Sequence, residues 1–253
     1  MKIALLQFSP IWESKEDNIL KINDLVNNIK KDTEILIFPE MTLTGFTMNS
    51  QNYSEEIDGI GMKYFLKLSS ELKMNIMAGI IEKYHNKFYN SLFHFDNKGL
   101  IKAVYRKVHP FSLAEEDKNF DAGNESVITK IDKTKIGLSI CYDLRFPELY
   151  RLYGKEKTEI IVNIANWPIK RIDHWKSLLK ARAIENQCYM IGVNRIGEDP
   201  FQKYNGFSAV YDPMGKEIII CENEEKIIYA EIDIQKVYKV REKLGFLKDI
   251  KLI

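Results

Sequence analysis

The sequence predicts one α/β domain, built on a mixed sheet or on two sheets packed face to face with helices outside. Three observations carry that prediction. Short apolar, β-branched runs alternate along the chain with amphipathic helical patterns. Hairpin signals interrupt this alternation, so the sheet is not purely parallel. At 253 residues the chain fits one large α/β domain, and no Pro/Gly/Ser-rich linker, low-complexity tract or internal repeat divides it.

The elements follow in order. Residues 2–8 and 34–38 read as buried strands. Between them Ser14 opens a helix, with Asp17 three residues later in a capping-box arrangement. Ile19, Ile22, Leu25, Val26 and Ile29 then share one helical face. An amphipathic helix over about 62–72 leads into an apolar strand near 74–80. Strands at 88–95 and 100–106 flank Asp96-Asn97-Lys98-Gly99, a turn sequence. Residues 135–140 form another strand, and Phe146-Pro147-Glu148 then starts a helix, because proline is favoured in a first turn. Strand and helix alternate again through 159–165, 173–187 and 188–194. Hairpin-like strands surround Asp212-Pro213-Met214-Gly215, and a short helix lies near 234–243.

Composition bounds the function. A hydrophobic fraction of 45% with 29% charged residues is that of an ordinary folded domain. Thirty-seven basic against 36 acidic residues leave a net charge of +1, so no overall field favours nucleic acid or an anionic membrane. Cys141, Cys188 and Cys221 are too few for a disulfide framework and point to reduced thiols in a cytoplasmic setting. The apolar opening Ile3-Ala4-Leu5-Leu6 is too short for a signal-peptide core. No stretch approaches the ~18 apolar residues of a membrane span.

Most common motifs fail. There is no P-loop, HExxH or CxxC, and Gly59-Ile60-Gly61 lacks the third glycine of a dinucleotide fingerprint. His85, His94, His109 and His174 have no metal-ligand spacing and read as surface or packing residues. Gly137-Leu138-Ser139-Ile140-Cys141 nearly forms a serine nucleophile elbow, but its last position is cysteine. A strand thus runs directly into Cys141, just before a helix start. There the dipole and free N–H groups favour thiolate, and backbone donors can hold an oxyanion. The plainer reading is a small buried hydrophobe, which suits Cys188 well. For Cys141 the two readings stand level on position alone. Strand 34–38 ends in Glu40, and strand 100–106 ends in Arg106-Lys107. Carboxylate, ammonium and thiol at strand ends suffice for acyl transfer, although each charge taken alone reads as a solvated loop residue.

Three segments complete the reading. Phe38-Pro39-Glu40-Met41, Tyr105-Arg106-Lys107-Val108-His109 and Cys141-Tyr142-Asp143-Leu144-Arg145-Phe146-Pro147-Glu148 resemble, in order and spacing, the signature motifs of the nitrilase superfamily of carbon–nitrogen hydrolases. The resemblance runs from the first strand to the Asp212 turn. It implies a four-layer α-β-β-α sandwich with Glu40, Lys107 and Cys141 as catalytic triad. It also implies a second catalytic glutamate, best matched by Glu116, with Glu115 the neighbouring candidate. The segment from Glu40 to Met48, Ala165-Asn166-Trp167-Pro168 and Ala181-Arg182-Ala183-Ile184-Glu185-Asn186-Gln187 look like the omega-amidase branch, which cleaves the terminal amide of α-keto acids such as 2-oxoglutaramate. Pro110 and the proline-free Arg241–Phe246 segment depart from that branch.

The implied chemistry needs no metal and no organic cofactor. Glu40 takes the thiol proton, Cys141 attacks the amide carbon, and Lys107 with the Tyr142 N–H stabilises the oxyanion. Glu116 orients Lys107 and the amide. Arg145 matches an arginine that binds a substrate carboxylate in related hydrolases, while pairing with Asp143 or Glu148 is the alternative. Phe46, Met48, Asn166 and Trp167 are the remaining pocket residues. A nitrile or an N-carbamoyl group is the competing substrate, and a non-catalytic binding protein is the reading from another class. The resemblance further implies a homodimer through helices at about 146–153 and 173–187. Tyr150, Leu152, Tyr153, Leu178 and Leu179 offer the apolar surface, with the tail at about 234–253 available to pack on the partner.

Overall fold

The computed structural model describes residues 1–252. In chain order the strands and helices are β1 Lys2–Gln7, α1 Lys15–Val26, β2 Ile35–Ile37, α2 Ser50–Tyr53, α3 Ile60–Leu72, β3 Asn75–Tyr84, β4 Lys87–Phe95, β5 Ile101–Arg106, α4 Glu116–Asn119, β6 Ile128–Ile131, β7 Thr134–Ile140, α5 Pro147–Lys155, β8 Ile160–Ala165, α6 Ile172–Asn186, β9 Tyr189–Asn194, β10 Ile196–Glu198, β11 Lys203–Tyr211, β12 Glu217–Glu222, β13 Lys226–Glu231 and α7 Ile234–Lys243. Each expected element is present within a few residues of its place. The short α2, α4, β6 and β10, and the strand β13, carry too little periodicity to be read in advance.

Two mixed sheets form. The first has the order β13-β1-β2-β3-β4-β5; the second runs β10-β11-β9-β8-β7-β6, with β12 beside β11. Parallel strands occupy the middle of each, β1-β2-β3 and β7-β8-β9, and antiparallel strands flank them. Because side chains alternate across a strand, Ile3 and Leu5 face the second sheet, while Ala4 and Leu6 face α1 and α3. Ile22 and Val26 of α1 and Met62, Phe65 and Leu68 of α3 cover that outer face. On the other side Leu149, Tyr150 and Tyr153 of α5 and Trp175, Leu179 and Ala183 of α6 cover the second sheet. The result is the α-β-β-α sandwich. β13 returns from the second half of the chain to pair with β1, so both halves share one core.

Local details depart from expectation. Ser14 does precede α1, but its hydroxyl donates to Asp17 Oδ2 at 2.6 Å and no side-chain cap forms. The buried Asn18 instead ties the start of the helix to the loops around it. Its Nδ2 donates to the carbonyls of Ile11, Ser14 and Leu43, and its Oδ1 accepts from Ile11 N. Tyr150, Tyr153 and Leu179, offered above as dimer surface, are fully buried in the core, leaving Leu152 exposed and Leu178 half-buried. The aromatic and branched side chains at these positions fill the space between α5, α6 and the sheet. Helix α7 docks on its own chain. Arg241 donates to the carbonyls of Lys157, Thr158, Asn186 and Gln187, capping the carboxyl ends of α5 and α6.

Candidate active site

The site lies at the carboxyl ends of β2, β5, β7 and β8, where an open α/β sheet leaves backbone free to present side chains. Glu40 follows β2, Lys107 follows β5, Cys141 follows β7 and Asn166 follows β8. All four side chains converge, and Glu116 joins them from the first turn of α4.

Glu40 is fully buried and held from several directions. Its Oε1 accepts from Lys107 Nζ at 2.8 Å and from Asn90 Nδ2 at 2.7 Å. Its Oε2 accepts from Asn166 N at 2.8 Å. Lys107 Nζ also donates to both oxygens of Glu116, at 3.0 and 2.8 Å. Asn90 Nδ2 bridges the two carboxylates, reaching Glu116 Oε1 at 2.8 Å, and Phe111 N donates to Glu116 Oε2. The second glutamate of the site is therefore Glu116. Glu115 points away, exposed, with its carboxylate on Lys118 at 2.6 Å.

Burial opposes the Lys107 charge, but Glu116, Glu40 and the thiol outweigh it and hold the ammonium above its ordinary pKa. Burial raises Glu116, with Glu40 adding to the shift and Lys107 working against it. Cys141 is raised well above an ordinary thiol, first by desolvation and then by Glu40, whose carboxylate accepts from the Sγ; Lys107 only partly offsets this. The helix-start expectation of a stabilised thiolate is therefore reversed. Cys141 begins a 3-10 turn, Cys141–Arg145, and α5 starts only at Pro147, so dense protein and a neighbouring carboxylate dominate over the dipole.

The elbow is strained and braced. Cys141 has φ +46°, a left-handed conformation that a non-glycine residue adopts only where its surroundings enforce it. Asn163 Oδ1 on β8 accepts from Cys141 N at 3.1 Å, while Asn163 Nδ2 is anchored on Tyr150 OH and Ser139 Oγ. The buried Asp143 ties the elbow to the lysine segment. Its oxygens accept from Ile140 N at 3.0 Å, Tyr105 OH at 2.7 Å, His109 N at 3.0 Å and His109 Nδ1 at 2.8 Å. His109 is in turn stacked on Phe146 at 3.8 Å. Cys141 N is taken by Asn163, but the next N–H of the 3-10 turn, that of Tyr142, has no partner within it, which makes it a donor for an anion beside the thiol.

Cys141 opens onto a cavity of about 670 Å³. Phe46, Met48, Tyr142, Arg145, Asn166 and Trp167 all line it. Arg145 pairs with neither Asp143 nor Glu148. Its guanidinium lies 4.7 Å over Trp167 and donates to His174 Nδ1 at 3.2 Å. Sequence reasoning missed Asn90, Asn163 and the bracing role of Asp143, and it missed Arg171, Phe111 and Tyr204 in the wall. Among the described residues no group of His, Cys, Asp or Glu is arranged to hold a metal ion, and no helix is long and apolar enough to cross a membrane. The arrangement thus offers a thiol, a carboxylate in contact with it, a fixed ammonium and a free backbone donor: the parts required for acyl transfer.

Relatives agree with this chemistry. A 2-oxoglutaramate amidase of Bacillus subtilis is 35% identical over 98% of this chain and 97% of its own. A protein of Staphylococcus aureus described as a hydrolase in the agr operon is 31% identical over 100% of this chain and 98% of its own. The crystal structure of a CN-hydrolase superfamily protein from Xanthomonas campestris, with an arsenic adduct in its active site, superposes with a TM-score of 0.96 at 27% identity, covering 100% and 98% of the two chains. The carbon–nitrogen hydrolase family profile matches residues 2–242. The chain belongs to the nitrilase superfamily of carbon–nitrogen hydrolases and is an amidase acting on amides other than peptide bonds.

Proposed function

We propose that this amidase cleaves the terminal amide of a short carboxylate-bearing acid, an α-keto acid omega-amide such as 2-oxoglutaramate, through Cys141, Glu40, Lys107 and Glu116. The observation that carries the substrate reading is Arg145, a cavity-lining guanidinium near the thiol with no carboxylate partner among the described residues. Its planar fork suits a substrate carboxylate. The Bacillus subtilis relative, named for 2-oxoglutaramate, supports the same choice.

The chemistry runs in two halves. Glu40 accepts the Cys141 proton as the sulfur bonds to the amide carbon. The oxyanion is met by Lys107 and the Tyr142 N–H, a role worth about 3 kcal/mol per donor. Glu40 returns the proton to the departing nitrogen, and ammonia leaves behind a thioester. Water, deprotonated by Glu40, attacks that thioester, the C–S bond breaks, and the acid and free thiol emerge. Glu116 keeps Lys107 aimed at the reacting carbonyl.

Ammonia release across keto-acid amides, simple monoamides, N-carbamoyl acids and nitriles tests the assignment. The expected order places 2-oxoglutaramate first, and Cys141→Ala removes its hydrolysis by several powers of ten (about 10⁶ for comparable nucleophile deletions). Turnover of neutral aliphatic amides or nitriles as fast as 2-oxoglutaramate refutes the substrate; near-normal Cys141→Ala activity refutes the nucleophile. The same reading includes a homodimer through α5 and α6, whose exposed apolar positions are Leu152 and Ile184. A single ~30 kDa species in light scattering at micromolar concentration, where a standard interface of about 1,600 Å² would hold two chains together, contradicts it.

A further inference from the structure

Arg145 is not the only cation facing the cavity. Arg171 ends the 3-10 turn Ile169–Arg171, lines the same space and forms no ion pair among the described residues. Its backbone is fixed at both groups: Arg171 N donates to Pro168 O at 3.0 Å, and Arg171 O accepts from Trp167 Nε1 at 2.8 Å. Its guanidinium lies 5.4 Å from the Phe111 ring centroid, as that of Arg145 lies 4.7 Å over Trp167. Stacking holds each planar group by its face and leaves its edge of N–H donors for an acceptor in the cavity. The two charges also feel each other: after burial, Arg171 is the main influence lowering the Arg145 pKa.

The acids that line the cavity are already engaged. Glu13 accepts from the Thr47 hydroxyl, and Glu115 is paired with Lys118. Asp199 accepts from Phe201 N, Gln202 N and Tyr204 OH. The wall therefore presents two arginines that no acid neutralises, and of its acids only Glu13 has no cationic partner among the described residues, its carboxylate being held by the Thr47 hydroxyl. That balance favours an electron-rich head group and disfavours an ammonium beside it, because like charges brought together in a partly buried site repel strongly.

We propose that Arg145 and Arg171 form a two-armed clamp for an α-keto carboxylate, and that Arg171 is the specificity residue separating keto-acid amides from the corresponding α-amino-acid amides. This rests on the omega-amide reading above. A keto head offers the clamp a carboxylate and an adjacent carbonyl oxygen, both acceptors. The amino counterpart replaces the carbonyl with an ammonium, which meets Arg171 as a like charge.

The test compares 2-oxoglutaramate, glutaramate and L-glutamine as substrates of wild type, Arg171→Gln and Arg171→Lys. In parallel, 2-oxoglutarate, glutarate and L-glutamate are titrated as competitive inhibitors of whichever amide the wild type turns over best. Arg171→Gln is expected to raise KM for 2-oxoglutaramate at least tenfold with kcat changed less than threefold. It should also narrow the 2-oxoglutaramate to glutamine ratio of kcat/KM at least tenfold, with the inhibitor series changing in parallel. Arg171→Lys, which keeps the charge, should retain part of that ratio. Equal losses on all three amides mean a structural role and overturn the clamp; an unchanged ratio does the same. If wild type hydrolyses none of the three, the omega-amide reading fails by itself. The inhibitor series, run on another amide, then decides the clamp: equal inhibition by 2-oxoglutarate and L-glutamate refutes it, and stronger inhibition by 2-oxoglutarate that Arg171→Gln abolishes sustains it.

Discussion

Gly79 touches no reacting group, yet its substitution by alanine should disable the enzyme. Gly79 lies on β3, directly against the Glu40–Met41 backbone: its amide donates to Thr42 Oγ1, and its carbonyl accepts from Thr42 N. A Cβ there meets Met41 N at 2.4 Å and Glu40 Cα at 2.8 Å, whereas ordinary contact begins at 3.4 Å. The glycine has no positive φ, so alanine adopts its backbone freely and the collision is the whole effect. Relief requires Met41 N and β3 to separate by about 1 Å, since both partners are backbone. Glu40 would move with Met41, away from a thiol and an ammonium that other elements hold. A misplacement of about 1 Å costs on the order of 10²-fold in rate, and overpacking of this kind costs about 1–3 kcal/mol in stability. Ammonia release by Gly79→Ala, measured well below its melting temperature and normalised to titratable Cys141, should give a kcat about a hundredfold down. A folded variant within threefold of wild-type kcat refutes the dependence on Glu40 placement.

Other expectations are as specific. Because burial and Glu40 raise the Cys141 thiol, ultraviolet thiolate absorbance assigned by difference from Cys141→Ala should emerge only above the ordinary thiol range of about 8.5. A thiolate already formed at pH 7 contradicts this. Asp143→Asn presents an amide donor where Ile140 N, Tyr105 OH and the two His109 groups now donate; losing one or two such bonds to a charged acceptor costs about 2–5 kcal/mol. Its melting temperature and kcat should both fall, and an unchanged kcat means the elbow does not depend on that carboxylate. His94, bonded to Thr129 Oγ1 and Asn75 Oδ1, has its pKa lowered by burial to about 4. The unfolded chain binds this proton first, so the contribution is full above pH 6.5 and is lost as pH falls towards 4. That difference is about 3 kcal/mol, and a His94→Gln variant whose stability falls equally over the same window refutes it.

The frame of the fold was legible because each sheet is built from short apolar runs whose alternation identifies strands without knowledge of their partners. Position made Glu40, Lys107 and Cys141 no more than candidates, each at the end of such a run; the resemblance of their segments to the family motifs is what singled them out. What failed was whatever depends on register between distant segments. Asn163 matters because β7 and β8 pair with Ser139 opposite Asn163, and nothing in its own neighbourhood states that pairing. Asn90 matters because β4 lies between β3 and β5, so one amide reaches both carboxylates. Glu115 and Glu116 are adjacent in sequence and opposite in orientation; the left-handed backbone of Glu115, φ +58°, turns one outward and the other in. Arg145 has two nearby acids, but Asp143 is already taken by Tyr105 and His109 from the lysine segment.

Strain and charge in this site have a common logic. Met41, Glu115 and Cys141 are non-glycine residues with positive φ, and each is at or beside a candidate catalytic group. Such conformations cost on the order of 1–3 kcal/mol each and persist only when surrounding contacts enforce them. Here the contacts are identifiable: Gly79 backs Met41, Asn163 and Asp143 hold the elbow, and Phe111 N fixes Glu116. The geometry that results packs two buried carboxylates and one buried ammonium around a half-buried thiol. A third negative charge is unfavourable there, which is why the thiol stays protonated. On the proposed chemistry that is an advantage. The proton has a carboxylate acceptor already in contact, and the negative charge moves from sulfur onto a carbonyl oxygen that Lys107 and the turn N–H can meet. Donors fixed beforehand need no reorganisation as that charge forms, and in a low-dielectric site each is worth more than in water. The strained backbone is thus what keeps base, donor and nucleophile in place before the substrate arrives.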